Sequence, residues 1–155
     1  MRRWLLSLLA LVGCAAARPS VPAAEGGLDA GGFRALMERV AEGWGEGNAA
    51  KAVECFTEDA LYEEPPRKQF HSGREDLFEF FGGTNGTDKP MHMTWHHLVF
   101  DARTQIGAGE YTFQLNRQYH GVVMVQLRGG RIARWREYQT ESSLPFEDFS
   151  GSSPF

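Results

Sequence analysis

The stretch Leu127-Arg128-Gly129-Gly130-Arg131-Ile132 restricts this chain more than any other. A Gly-Gly two-residue loop supplies the positive φ angles of a type I′ turn, so residues 119–128 and 131–140 are predicted to fold back on each other as antiparallel strands. Residues 92–101 and 107–115 are equally rich in β-branched and aromatic side chains and read as two more strands. The signal ahead of them is helical. Apolar residues fall at 33, 36, 37, 40, 41 and 44, one stripe of a helix that Gly45-Glu46-Gly47 ends. Asn48 can cap a second helix carrying Ala52, Val53 and Phe56. Leu61-Tyr62 begins an extended piece that Pro65-Pro66 must close or confine to an edge. Ser72 and Glu75 have the spacing of a capping box for a third helix through Leu77, Phe78 and Phe81, and residues 82–87 read as a mobile loop. Helices first and a meandering antiparallel sheet after them predict an α+β domain with helices on one face of a curved sheet.

The Gly-Gly turn also sets a register. If Arg128 faces Arg131, then Met124 faces Trp135, Val122 faces Glu137 and His120 faces Gln139, all on one side, with His120 and Glu137 diagonal neighbours. Val123, Val125, Leu127, Ile132, Arg134, Arg136 and Tyr138 then share the other side. Periodicity alone turns the Val123-Val125-Leu127-Ile132 face to the core and leaves His120, Trp135, Glu137 and Gln139 in water.

The chain begins MRRWLLSLLALVGCAAARP: two arginines, an apolar run too short to span a bilayer, then small residues. Residues 1–13 are expected to be a secretory signal. Leu11-Val12-Gly13-Cys14 resembles the bacterial lipobox, which implies a lipid on Cys14 and a domain anchored to the cell envelope; plain secretion after Ala15-Ala16-Ala17 is the alternative. Residues 14–31 then form a Pro/Gly-rich tether, 32–141 the domain and 142–155 an irregular tail. Cys55 has no second thiol in the domain and sits beside no histidine, so it reads as a core residue. With 155 residues there is room for one core, and a net charge of −4 argues against nucleic acid as a partner.

Three stretches, "EGNAAKAVECFTEDALYEEPP", "HSGREDLFEFF" and "GGRIARWREYQTES", together resemble the NTF2-like, or SnoaL-like, domains, the family that includes ketosteroid isomerase and limonene-epoxide hydrolase. The resemblance spans residues 33–141. It implies a cone in which three N-terminal helices pack on a strongly curved antiparallel or mixed sheet around a pocket, and it turns Trp135, Glu137 and Gln139 inward, against the periodicity argument. It also implies a homodimer. Ketosteroid isomerase places its base, an aspartate, just before a proline after the second helix, and Glu64-Pro65 stands at the matching place. At the positions of that enzyme's oxyanion donors this chain has Val40 and Val122, which disfavours steroid isomerisation.

The candidate catalytic set is therefore Glu64, His120 and Glu137, with Tyr62, Trp95, His97, Glu110, Trp135 and Gln139 as candidate ligand contacts and Tyr111 beside them. Carboxylates and a histidine in an apolar pocket suit acid/base chemistry, because burial raises carboxyl pKa values. Two functions follow: an exported domain that binds a small apolar molecule, or an acid/base enzyme. No cofactor is expected, and no metal either. Adjacent His96 and His97 on a strand should point to opposite faces, and no HxH, HExxH or CxxC spacing occurs.

Overall fold

The structure, a computed structural model, describes residues 26–87 and 91–151. The leader, Cys14 and the tether up to residue 25 lie outside the described residues. Helix α1 spans Ala30–Gly45, with Asp29 as its cap accepting from the Gly32 amide at 2.7 Å. It therefore starts two residues ahead of the expected domain start, and Leu28 before it is tied on both backbone groups to the Gln105 side chain. Helix α2 is Ala49–Val53, capped by Asn48 as its sequence predicts. Strand β1, Phe56–Glu64, leads through a 3-10 turn at Pro65–Arg67 into β2, Gln69–Ser72. Helix α3, Arg74–Phe80, has Gly73 at its cap and no side-chain capping bond; the Asp76 carboxylate takes the Ser72 amide, so the expected Ser72–Glu75 capping box does not form. Residues 83–85 form a second 3-10 turn where a loop was expected.

Four long strands complete the sheet: β3, His92–Asp101, β4, Ile106–Gln114, β5, Gln118–Arg128, and β6, Arg131–Glu141. The order is β2-β1-β6-β5-β4-β3, with β1 parallel to β6 and the other pairs antiparallel. Helix α1 lies across the inner face, where Phe33 stacks on Phe100 and the Met37 carbonyl accepts from the Trp95 indole. Phe33, Met37, Val40 and Trp44 of α1 join Val123, Val125, Ile132 and Trp135 in the core. The tail, expected to be irregular, forms a short helix α4, Phe146–Ser150, against the outer face of the sheet.

Two bulges decide which side chains face inward. Gly129 and Gly130 have φ of +57° and +74°, and Arg128 faces Arg131 as the turn predicts. Beyond that pair the register slips: Leu127 faces Ile132 but Gln126 faces Arg134, leaving Ala133 as an extra residue. Glu137 consequently faces Val123 and not Val122, and His120 faces Thr140 and not Gln139. The extra residue puts Ile132 and Trp135 on the same side, so Val123, Val125, Leu127, Ile132, Trp135 and Glu137 are all buried together. Periodicity and family resemblance, which disagreed, each had half of the inner face. The second bulge lies between Trp95 and His97, where His96 is the extra residue.

Candidate functional site

Glu137 sits at the centre of the inner face, 3% exposed. Its Oε1 accepts from the Tyr62 hydroxyl at 2.5 Å, and its Oε2 accepts from the Tyr111 hydroxyl and the Trp135 indole N–H, both at 3.0 Å. Strands β1, β4 and β6 each bring one or two of these groups, and Gly121 makes the meeting possible. A Cβ at Gly121 would lie 2.7 Å from the Tyr111 ring and hydroxyl, so glycine opposite Tyr111 leaves the phenol room to reach the carboxylate. Burial pushes the Glu137 carboxyl up from its ordinary value; the hydrogen bonds from Tyr62, Trp135 and Tyr111 oppose that rise, and the charge of Glu64 adds to it. Burial, then the Glu137 charge, holds both phenols far above the ordinary tyrosine range, so Tyr62 and Tyr111 stay protonated donors.

Beside this cluster lies a cavity of about 230 Å³. Trp44, Phe80, Phe81, Met93 and Phe113 supply apolar walls, and Tyr62, Glu64, Arg67, Glu137 and Gln139 form its polar end. Glu64 is 2% exposed; its Oε1 pairs with Arg67 Nε at 2.8 Å and accepts from Gln139 Nε2 at 2.9 Å. The Arg67 guanidinium also lies 4.6 Å from the centre of the Tyr119 ring.

The structure divides the expected site between the two faces of the sheet. Tyr62, Glu64, Glu137 and Gln139 line the inner cavity; Trp135 is fully buried behind them, and Trp95 faces inward with its indole on α1. His120, His97 and Glu110 do not join them. His120 is buried on the outer face, where Thr112 Oγ1 lies 2.9 Å from its Nδ1 and 2.7 Å from His96 Nε2. Phe146 stacks on His96 at 3.6 Å and Phe149 lies 4.5 Å from His120. His97 pairs with Glu110 at 2.7 Å on that same face, because the bulge at His96 turns both adjacent histidines outward instead of apart. The set Glu64, His120 and Glu137 therefore does not share one void. The alternation that made His120 a neighbour of Glu137 was broken by the slip at Ala133. Val122, expected at an oxyanion position, is 39% exposed on the outer face. Hydroxyls do exist inside, on Tyr62 and Tyr111, and Glu137 holds both.

Trp44, Arg67 and Phe113 line the cavity without a functional signal in the sequence. Trp44 belongs to the apolar stripe of α1 and carried no sign of a second role, whereas Arg67, two residues beyond Pro65, is turned back onto Glu64 by the 3-10 turn.

A model of the SnoaL-like domain matches residues 37–135. No curated protein matches the chain. Among solved structures, an NTF-2 like protein of unknown function from Burkholderia xenovorans superposes with a TM-score of 0.62 at 15% identity, covering 74% of this chain and 88% of that one. An LEH-like epoxide hydrolase of M. tuberculosis gives 0.61 at 15%, covering 72% and 84%. The epoxide hydrolase/cyclase-like enzyme SalBIII, of pyran ring formation in polyether salinomycin, gives 0.59 at 21%, covering 69% and 89%. At these identities the likeness is one of fold.

Proposed function

This chain belongs to the SnoaL-like domain family, and from that membership we propose that its inner cavity binds a small, largely apolar molecule. The observation that carries this reading is how the polar groups at the cavity's floor are used. Tyr62, Tyr111 and Trp135 all direct their protons to Glu137, which leaves that carboxylate three-quarters occupied and poorly placed to take a proton from a substrate. Gln69 and Thr87 apart, the remaining wall is aromatic, thioether and aliphatic, a lining that suits apolar molecules. Substituting Met93→Trp fills the cavity from its side wall. Calorimetric binding of indane, a compact bicyclic hydrocarbon, is expected in the wild type and lost in that variant; binding that survives would place the site elsewhere.

A second reading rests on Glu64. It stands where ketosteroid isomerase carries its base, it lines the cavity, and Arg67 and Gln139 hold it in one orientation. As an acid/base enzyme the chain would use Glu64 without His120. Glu64→Gln would then abolish turnover and keep ligand binding, and equal turnover would dismiss the reading.

The N-terminal pattern supports export and a lipid on Cys14, which would hold the domain at the cell envelope; mass spectrometry of the mature N-terminus distinguishes this from plain secretion. The exposed Val122, Met124 and Tyr138 on the outer face support a homodimer, to be tested by sedimentation.

A further inference from the structure

We infer that the C-terminal segment, residues 142–151, is an acid-released cover on the outer face of the sheet, docked while His96 is neutral and lifted when His96 takes a proton. The segment lies beyond the SnoaL-like match, which ends at residue 135. Two kinds of contact hold it down. Gln118 Nε2 donates to the carbonyl oxygens of Ser142 and Leu144 at 3.0 and 2.7 Å, the Ser142 amide donates to the Gln118 carbonyl at 3.1 Å, and His120 Nε2 lies 2.8 Å from the Leu144 carbonyl oxygen. Past this clip the rings take over, with Phe146 stacked on His96 at 3.6 Å and Phe149 at 4.5 Å from His120.

These contacts fix where the hydrogens sit. A carbonyl oxygen only accepts, so His120 Nε2 carries a hydrogen and the neutral ring accepts at Nδ1. Thr112 gives its one hydroxyl hydrogen to that nitrogen at 2.9 Å, and its oxygen accepts from His96 Nε2 at 2.7 Å. Gln118 Nε2 stands 3.3 Å from His120 Nε2, but both of its hydrogens are on the two tail carbonyls. The row therefore runs one way, from His96 through Thr112 and His120 to the tail backbone. It uses Nε2 of His96, which leaves Nδ1 as the position where an acid proton enters.

That proton would put a charge under Phe146. A phenyl face attracts a cation, so the sign must come from all the surroundings of the ring. Burial lowers the His96 pKa most; the His120 and His97 charges lower it further, while Glu147 on the cover and Glu110 on β4 oppose them. His97, His120 and Glu110 belong to the sheet and stay when the cover lifts. Only two influences change: burial, the larger, is relieved, and Glu147 departs. Lifting the cover thus raises the His96 pKa toward the ordinary 6.5, and by linkage a fall in pH below that value favours the lifted state. Release bares His120, now 2% exposed, and widens the groove that Val122 and Tyr138 wall on the same face.

Amide hydrogen exchange of residues 142–151, followed by NMR from pH 5.5 to pH 7.5 and corrected for the intrinsic pH dependence of exchange, tests this. The opening constant should rise severalfold as pH falls across that range, and by no more than about tenfold per pH unit, the limit for one proton. His96→Gln keeps an amide N–H for Thr112 and cannot titrate, so its opening constant should stay flat. Glu147→Gln removes the charge that the cover brings to a protonated His96; it should open further than the wild type at pH 5.5 and equally at pH 7.5. A flat wild-type profile, or a His96→Gln profile as steep as that of the wild type, would overturn the inference. So would a Glu147→Gln cover no looser in acid than the wild-type one. Should either variant loosen the tail at every pH, the wild-type spectra decide: opening that tracks the His96 ring titration upholds the inference, and opening that does not sinks it.

Discussion

On the inner face of the sheet three donors close on one carboxylate, whereas on the outer face a threonine links two histidines in a row beneath a five-residue helix. The inner cluster draws on β1, β4 and β6, strands that are not all neighbours, so it knits the width of the sheet. The outer row also crosses three strands, β3, β4 and β5, but those already pair side by side, and its cover is one segment near the chain's end. Loss of the first should be felt by the whole domain. Loss of the second should be felt by the cover.

Glu137→Leu provides the most severe test of that contrast. It leaves two buried phenols and a buried indole N–H without their partner, and at roughly 1–3 kcal/mol for each unpartnered buried group the domain should lose on the order of 4 kcal/mol in urea denaturation. A loss below about 1 kcal/mol would mean that the cluster does not tie the sheet together. Gly121→Ala strikes the same cluster through space. Its Cβ meets the Tyr111 ring and the Tyr138 carbonyl oxygen at 2.7 Å, and a cost of about 1–3 kcal/mol is expected from the overpacking.

A subtler test uses pH. The folded state raises the Glu137 pKa above the ordinary 4.5, so between that value and the raised one the folded chain binds more protons than the unfolded. The cluster's contribution is therefore most favourable at low pH and declines as pH rises through that window. Glu137→Gln removes the titrating group, and its stability, measured by urea titration from pH 4 to pH 8, should lack this decline. Parallel curves for the two proteins would show that Glu137 is not the group responsible.

Much of this contrast could be seen in the chain before its fold was known, and what escaped did so for one physical reason. The α+β order, the caps at Asn48 and the Gly-Gly turn follow from local chemistry, and they stand. Strict alternation failed at Ala133 and His96, each an added residue whose own side chain announces nothing. A trace was nevertheless present. Ile132 and Trp135 are large apolar residues three apart in a strand, as are Trp95 and Leu98, and strict alternation cannot bury both members of either pair. Such a break in parity is what a bulge repairs. Read that way, Ile132 and Trp135 would have placed Glu137 among the core residues, and Trp95 and Leu98 would have sent both His96 and His97 outward. The meeting of Tyr62 and Tyr111 on Glu137 was beyond reach, since it depends on strands 75 and 26 residues away in sequence.

The outer face should respond least, and its response should stay local. Burial lowers the His96 pKa, with the His120 and His97 charges lowering it further and Glu147 and Glu110 opposing them. Phe146, stacked on the ring, is part of that burial. Phe146→Ala should let the His96 pKa climb back toward the ordinary 6.5 in an NMR titration, and should raise hydrogen exchange and protease cleavage across residues 142–151. Because a lowered histidine pKa weakens the fold as pH falls below 6.5, the wild-type cover should loosen in mild acid, whereas the variant, open already, should change little. Urea stability of the domain should move by less than about 1 kcal/mol, the ordinary size of a change at the periphery. A drop as large as that of Glu137→Leu would erase the distinction between the faces, since it would mean that the terminal helix supports the sheet as deeply as the buried carboxylate does.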